Sequence, residues 1–161
     1  MFSTWHCLKG KKLRDVSLFQ GTFEEITLDN DFDWDHYYYP EHIKNLFDLE
    51  IFGFLDNIKE YEKHNITKRG LLFWGAPGTG KSSLGKIICN TAKNHSVIWI
   101  TPELIRNSHE TADMIKSFYL LADFLSPSVV ILEDIDLFTD DRESTKGNIP
   151  LGCLMNILDG I

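Results

Sequence analysis

Leu71-Leu72-Phe73-Trp74-Gly75-Ala76-Pro77-Gly78-Thr79-Gly80-Lys81-Ser82-Ser83 is the stretch on which the reading of this chain turns. Four apolar residues lead into Gly, four free positions, Gly, Lys and Ser, which is the spelling of a phosphate-binding P-loop. The apolar run reads as a buried strand. From Ser83 to Asn94 apolar residues recur at helical spacing through Leu84, Ile87, Ile88 and Cys89. Strand, loop and helix is the order the motif requires.

The residue types follow from the charge of a nucleoside triphosphate. Gly75, Gly78 and Gly80 lack a Cβ, so the backbone can turn its N–H groups inward as an anion nest at a helix N-terminus. Ala76, Pro77 and Thr79 complete the cradle. Lys81 is expected to reach the β and γ phosphates and the Ser82 hydroxyl to ligate Mg²⁺. Ser83 reads either as a contact to the α phosphate or as a first-turn helix residue without a ligand.

Outward from the loop, 161 residues with 43% hydrophobic and 12% aromatic content suffice to build a core of single-domain size. A formal net charge of -8 argues against general nucleic-acid binding. The only basic cluster, Lys9-Gly10-Lys11-Lys12 with Arg14, reads as a solvated N-terminus. Cys7, Cys89 and Cys153 are odd in number and widely spaced, which suggests reduced thiols in a cytoplasmic or other reducing compartment, without disulfides or zinc. No apolar run approaches the roughly 20 residues that span a bilayer, and the polar start carries no signal-peptide core.

Residues 1–39 lack clean periodicity and read as an extension of short strands and loops, with Val16-Ser17-Leu18-Phe19 and Ile26-Thr27-Leu28 as β candidates. Residues 40–161 read as a partial nucleotide-binding core. Asp31 to Asp35 and Tyr37-Tyr38-Tyr39 alternate acid and aromatic before Pro40 and are read as an edge strand packing its rings on the core. A docking segment or part of a base-binding wall is the alternative. From Glu41 to His64, Ile43, Phe47, Ile51, Phe54, Ile58 and Tyr61 mark one long amphipathic helix, with Asn65 as its left-handed cap. A strand is expected at Val97–Ile100 and a helix from Glu110 to Leu125, stopped by Ser126-Pro127. Thr139 to Asn148 reads as a surface loop and Ile149 to Ile161 as a further helix.

Val129-Val130-Ile131-Leu132-Glu133-Asp134 is an apolar strand ending in two acids, the place where open α/β sheets bind ligands. One carboxylate can hold Mg²⁺ through water while the other polarises an attacking water. Asp136 reads as a turn cap.

Together these residues resemble an AAA ATPase of the AAA+ P-loop superfamily. Lys68 to Trp74 leading into the P-loop, Leu132-Glu133-Asp134-Ile135-Asp136, and Leu154-Met155-Asn156-Ile157-Leu158-Asp159-Gly160 resemble successive family motifs, from about Phe23 to Ile161. Lys81-Ser82-Ser83 and the order Glu133-Asp134 are similar to the subgroup that assembles respiratory cytochrome complexes. The resemblance implies an α/β fold, the three-layer P-loop NTPase sandwich with a mostly parallel sheet, here incomplete at the C-terminus. It also implies ATP with Mg²⁺, a homo-oligomeric ring in a longer parent, and hydrolysis that remodels or assembles protein complexes.

Two departures bear on mechanism. Most of the family has Asp then Glu, so the resemblance would place Glu133 by the metal and Asp134 by the water; Lys81, Glu133 and Asp134 are kept as the catalytic set with the division within the pair open. The family also carries a strand with a γ-phosphate-sensing residue, an arginine reaching a neighbouring subunit, and a helical lid, none of which is found before Ile161. That strand lies in the family's sheet between the P-loop strand and the acidic-pair strand, and its loss would leave backbone groups unpaired. Since an arginine finger is worth about 10³ to 10⁵ in rate, very slow turnover is expected of this chain alone. Thr101-Pro102-Glu103-Leu104-Ile105 does not match the family's aromatic-apolar-Gly pore loop, so peptide threading is not expected. The alternatives are a nucleotide-binding interaction module that does not hydrolyse, and a DNA-acting ATPase of the same superfamily.

Overall fold

The computed structural model describes residues 11–17, 22–25, 33–101 and 111–134. Within them the chain forms two compact units, residues 1–27 with 93–161 and residues 28–92. The candidate β segment Ile26–Leu28, Asp136, the loop 139–148 and the helix 149–161 lie outside the described residues, as do Leu18 and Phe19.

The first unit holds a four-stranded sheet of β1 (Lys12–Ser17), β2 (Thr22–Glu25), β3 (Ser96–Ile100) and β4 (Ser128–Leu132) in the order β2-β1-β3-β4. β1 runs antiparallel to β2 with a register shift between Arg14 and Ser17, while β1–β3 and β3–β4 are parallel. The sheet is thus mostly parallel, as expected of a P-loop α/β protein. Every residue of β3 is buried, which explains its unbroken apolar run, because a parallel strand inside a sheet is covered on both faces. β4 is only half-buried and, among the described strands, has a neighbour on one side alone.

A helix Thr111–Phe124 packs beside β4 and returns the chain to it. Phe118, Leu121, Ala122 and Leu125 are buried at spacings of three and four, the stripe that its sequence pattern announced. Its junction with the sheet is tied by hydroxyls: Ser96 Oγ donates to the Leu125 carbonyl at 2.9 Å and Ser128 Oγ to the Ala122 carbonyl at 2.7 Å. The Ser96 N–H donates to the Pro127 carbonyl at 3.0 Å, so the turn that ends the helix also starts the β3–β4 ladder.

In the second unit the expected single helix 41–64 is divided. α1 (Glu41–Phe47) passes into a π turn (Asp48–Phe52), then α2 (Gly53–Asp56), and after Asn57 α3 (Ile58–Glu62). Phe47, Ile51 and Phe54 stay buried through the change of pitch. Asn57 leaves helical angles (φ -115°, ψ 22°) and its Nδ2 donates back to the Gly53 carbonyl at 2.9 Å, so the break is hydrogen-bonded rather than frayed. Asn65 takes the left-handed φ of 59° expected of its cap position. The unit ends in α4 (Lys81–Thr91), which buries Leu84, Ile87, Ile88 and Cys89; the helix Thr111–Phe124 of the other unit is α5.

Two expectations are overturned here. Residues 33–37 form a turn, and 38 and 39 no regular element, in place of an edge strand: the Asp33 carboxylate accepts the N–H groups of Asp35 and His36 at 2.9 and 3.0 Å, which bends the chain. Leu71–Trp74 forms no strand and is not buried, with Leu72 at 70% and Trp74 at 89% exposure. It is held by side chains instead of a ladder. Phe73 stacks on Phe47 at 5.3 Å, and Arg69 donates to Glu50 while its guanidinium lies 5.9 Å from the Phe54 ring centre.

Candidate nucleotide-binding site

The P-loop hangs between this side-chain-anchored approach and the first turn of α4. Gly78 and Gly80 have φ of 77° and 87°, a region that residues with a Cβ enter only at a cost. Gly80 is the residue preceding the helix, and its carbonyl accepts the first intrahelical bond from the Leu84 N–H at 3.0 Å. Thr79 Oγ1 donates to the Ala76 carbonyl at 2.8 Å and closes the loop on itself. Lys81 Nζ folds over the same loop, donating to the carbonyls of Gly75 at 2.8 Å and Ala76 at 2.9 Å. The lysine is thereby held against the loop through neutral carbonyl acceptors.

Electrostatics favour an anion at this point. The first turn of α4 carries no acidic side chain, so the helix N-terminus keeps its positive end and its unpartnered N–H groups. Ser82 is exposed and Ser83 half-buried.

Tyr39 is the residue that the sequence left unassigned to the loop. Its hydroxyl donates to the Gly80 carbonyl at 2.9 Å. Burial pushes its phenol above the ordinary value of 10.0. Trp34 meets the Tyr39 ring edge-on at 5.7 Å and Phe47 edge-on at 5.5 Å, and Phe47 in turn stacks on Phe73. An aromatic chain therefore runs from Phe73, two residues before the loop, to Tyr39, whose hydroxyl meets the loop's closing residue Gly80. The signal available was the run of three tyrosines before Pro40, but nothing in its spacing singles out the third.

The acidic pair lies in the other unit, at the C-terminal end of β4. The Glu133 N–H donates to the Ile100 carbonyl at 3.1 Å, which carries the β3–β4 pairing one residue past the strand. Asp134 follows with a left-handed φ of 46° and an exposed side chain. No cluster of three or more His, Cys, Asp or Glu with metal-binding geometry occurs among the described residues. A Mg²⁺ ion that uses one hydroxyl, water and the phosphates as ligands needs no such cluster, and Ser82 beside the loop fits that donor set.

Residues 71–161 match the ATPase family associated with various cellular activities (AAA). The chain belongs to the AAA family. Its membership establishes the P-loop NTPase fold class, that of a nucleotide-binding family. This AAA chain is 27% identical over 97 residues to Protein SAV of Sulfolobus acidocaldarius, which covers 58% of the chain and 12% of that protein. It is 26% identical over 97 residues to a cell division cycle protein 48 homolog of Archaeoglobus fulgidus, 58% of the chain and 13% of that protein. It is 36% identical over 69 residues to a proteasome-activating nucleotidase of Methanocella arvoryzae, 42% of the chain and 16% of that protein. The matched part of the AAA chain thus spans under a fifth of each of these relatives. No helix among its described residues is long and apolar enough to cross a membrane.

Proposed function

We propose that this chain binds ATP with Mg²⁺ through Gly75 to Ser83 and contributes the nucleotide site of a ring-forming ATPase that remodels or assembles protein complexes. The observation that carries the reading is the loop itself: two left-handed glycines, a helix N-terminus without a first-turn acid, and Lys81 held on loop carbonyls that it can exchange for phosphate oxygens. Ser82 would be the hydroxyl ligand for Mg²⁺, and the pair Glu133 and Asp134 would share the metal's outer contact and the water-polarising role, with the division between them open. The narrower reading, a complex-assembling rather than peptide-threading ATPase, rests on Lys81-Ser82-Ser83, on the Glu-Asp order, and on the absence of an aromatic-apolar-Gly motif after β3. Its ring, its residence in a reducing compartment and the division into an extension 1–39 and a core 40–161 belong to the same proposal.

The test is a titration with fluorescent ATP, followed by phosphate release at saturation. Lys81→Ala should weaken binding at least tenfold, since it removes the loop's charged donor to the phosphates. Asp134→Asn should leave binding within about twofold and abolish any phosphate release. Turnover that survives both substitutions would sink the hydrolytic reading, and tight binding without phosphate release would favour a non-hydrolysing module.

A further inference from the structure

The hydroxyl of Tyr39 reaches the P-loop from 41 positions upstream of Gly80, and its target is a backbone atom of the loop's closing residue. That target matters because the peptide unit is planar and trans, so its C=O and the following N–H point in opposite directions. Holding the Gly80 oxygen therefore fixes the direction of the Lys81 N–H. This N–H is one of the first four donors of α4, which have no intrahelical partner and are the groups an anion meets. The Gly80 oxygen already accepts the Leu84 N–H at 3.0 Å; the phenol fills its second lone pair and leaves little freedom for the peptide to rotate.

The arrangement is built rather than incidental. A methyl on Gly80 would come within 2.6 Å of the Tyr39 hydroxyl oxygen, so ring and loop are fitted to one another at a position that also requires a left-handed φ. The ring cannot easily swing aside, because Trp34 abuts it edge-on and is itself set against Phe47. Turn, phenol, loop and helix start are one mechanical assembly inside one compact unit.

We propose that Tyr39 is a positioning residue for phosphate binding: its O–H clamps the Gly80 carbonyl and so aims the Lys81 N–H at the anion. The proposal rests on the nucleotide-binding reading and adds a residue outside the motif. It also gives the segment 33–39 a role in affinity.

The experiment compares the full 161-residue chain with its Tyr39→Phe variant in titrations with a fluorescent ADP, alongside thermal unfolding of both. The ring and its contacts with Trp34 survive in the variant, so its unfolding midpoint is expected to stay within a few degrees while affinity falls roughly three- to tenfold, the worth of one hydrogen bond. A second chain carries a fluorinated, more acidic tyrosine at position 39. Its affinity should fall between about pH 7 and pH 9 as the phenol loses its donor and becomes negative beside the phosphates, while the natural chain stays flat. Tyr37, tilted against Tyr39 at 6.4 Å, and Lys81 are common to both chains and cancel in the comparison. Unchanged affinity of Tyr39→Phe, or identical pH profiles, overturns the proposal; if Tyr39→Phe fails to fold, the pH profile decides alone. Should the natural chain bind no nucleotide, both this inference and the reading beneath it fall, whereas binding that is lost in Lys81→Ala but unaltered in Tyr39→Phe overturns this inference only.

Discussion

At Gly80 a hydrogen in place of a methyl decides whether the loop and the aromatic turn can coexist. Alanine there would meet two penalties, a left-handed φ of 87° and a contact of 2.6 Å with the Tyr39 oxygen. We expect Gly80→Ala to destabilise by about 2 kcal/mol or more, measured by urea unfolding. In a Tyr39→Phe background the nearest remaining ring atom lies at 3.3 Å, so the cost should shrink, and the two substitutions should be non-additive. Asp134 poses the converse question. Its φ of 46° suits Asp better than most side chains, which gives the Glu-Asp order of this chain a backbone rationale: the second acid sits where a short carboxylate is tolerated. Asp134→Val should cost about 1–2 kcal/mol for that reason alone, separately from any effect on turnover.

Among the elements, legibility tracked how each is held. α4, α5 and β3 could be read because burial dictates their patterns: a helical stripe through Leu84, Ile87 and Ile88, another through Phe118 and Leu121, and a strand covered on both faces. β1 could be read only at its end, where Val16 and Ser17 belong to the candidate Val16–Phe19, and β2 could not, since these residues show no clean alternation and the ladders of β1 with β2 and β3 define them. The run Leu71–Trp74 misled in the opposite direction. Apolar content and length match a strand, yet no strand among the described residues pairs with it, and Phe73 and Arg69 fasten it sideways. The π turn at Asp48–Phe52 was also invisible, because Phe47, Ile51 and Phe54 keep a helix-like spacing across it. For the site, the loop and acidic pair were written in motif form, whereas Tyr39 acts through a backbone carbonyl, and no residue pattern encodes that. The same logic predicts where stability concentrates. Phe118 is 1% exposed, so Phe118→Ala should cost about 3–5 kcal/mol in chemical denaturation, against about 1 kcal/mol for Ser96→Ala, which deletes one buried hydroxyl bond.

For the whole chain, ligand and pH act as global levers. A nucleotide that binds only the folded state adds about 2.7 kcal/mol at a hundred times its Kd. Thermal unfolding with Mg-ATP should therefore rise by roughly 5–10 °C, and Lys81→Ala should remove the shift. Burial raises the phenol pKa of both Tyr39 and Tyr119 above the ordinary 10.0, so the folded chain holds these protons more tightly than the unfolded one. Their contribution is intact below about pH 10 and is lost as pH rises through the folded-state values, so unfolding midpoints should decline on the alkaline side. A double Tyr39→Phe, Tyr119→Phe chain should decline less. A net charge of -8 makes the long-range field repel a triphosphate, which leaves the local donors at the start of α4 and the cation to supply attraction.

The exposure of Trp74 has an optical consequence. Of the three described tryptophans, Trp99 is buried and Trp34 half-buried, while Trp74 stands 89% exposed one residue before the loop. Its emission should be red-shifted and readily quenched by iodide, and it should respond first when an anion fills the neighbouring cradle. The chain thus carries an intrinsic fluorophore at the lip of the proposed nucleotide site.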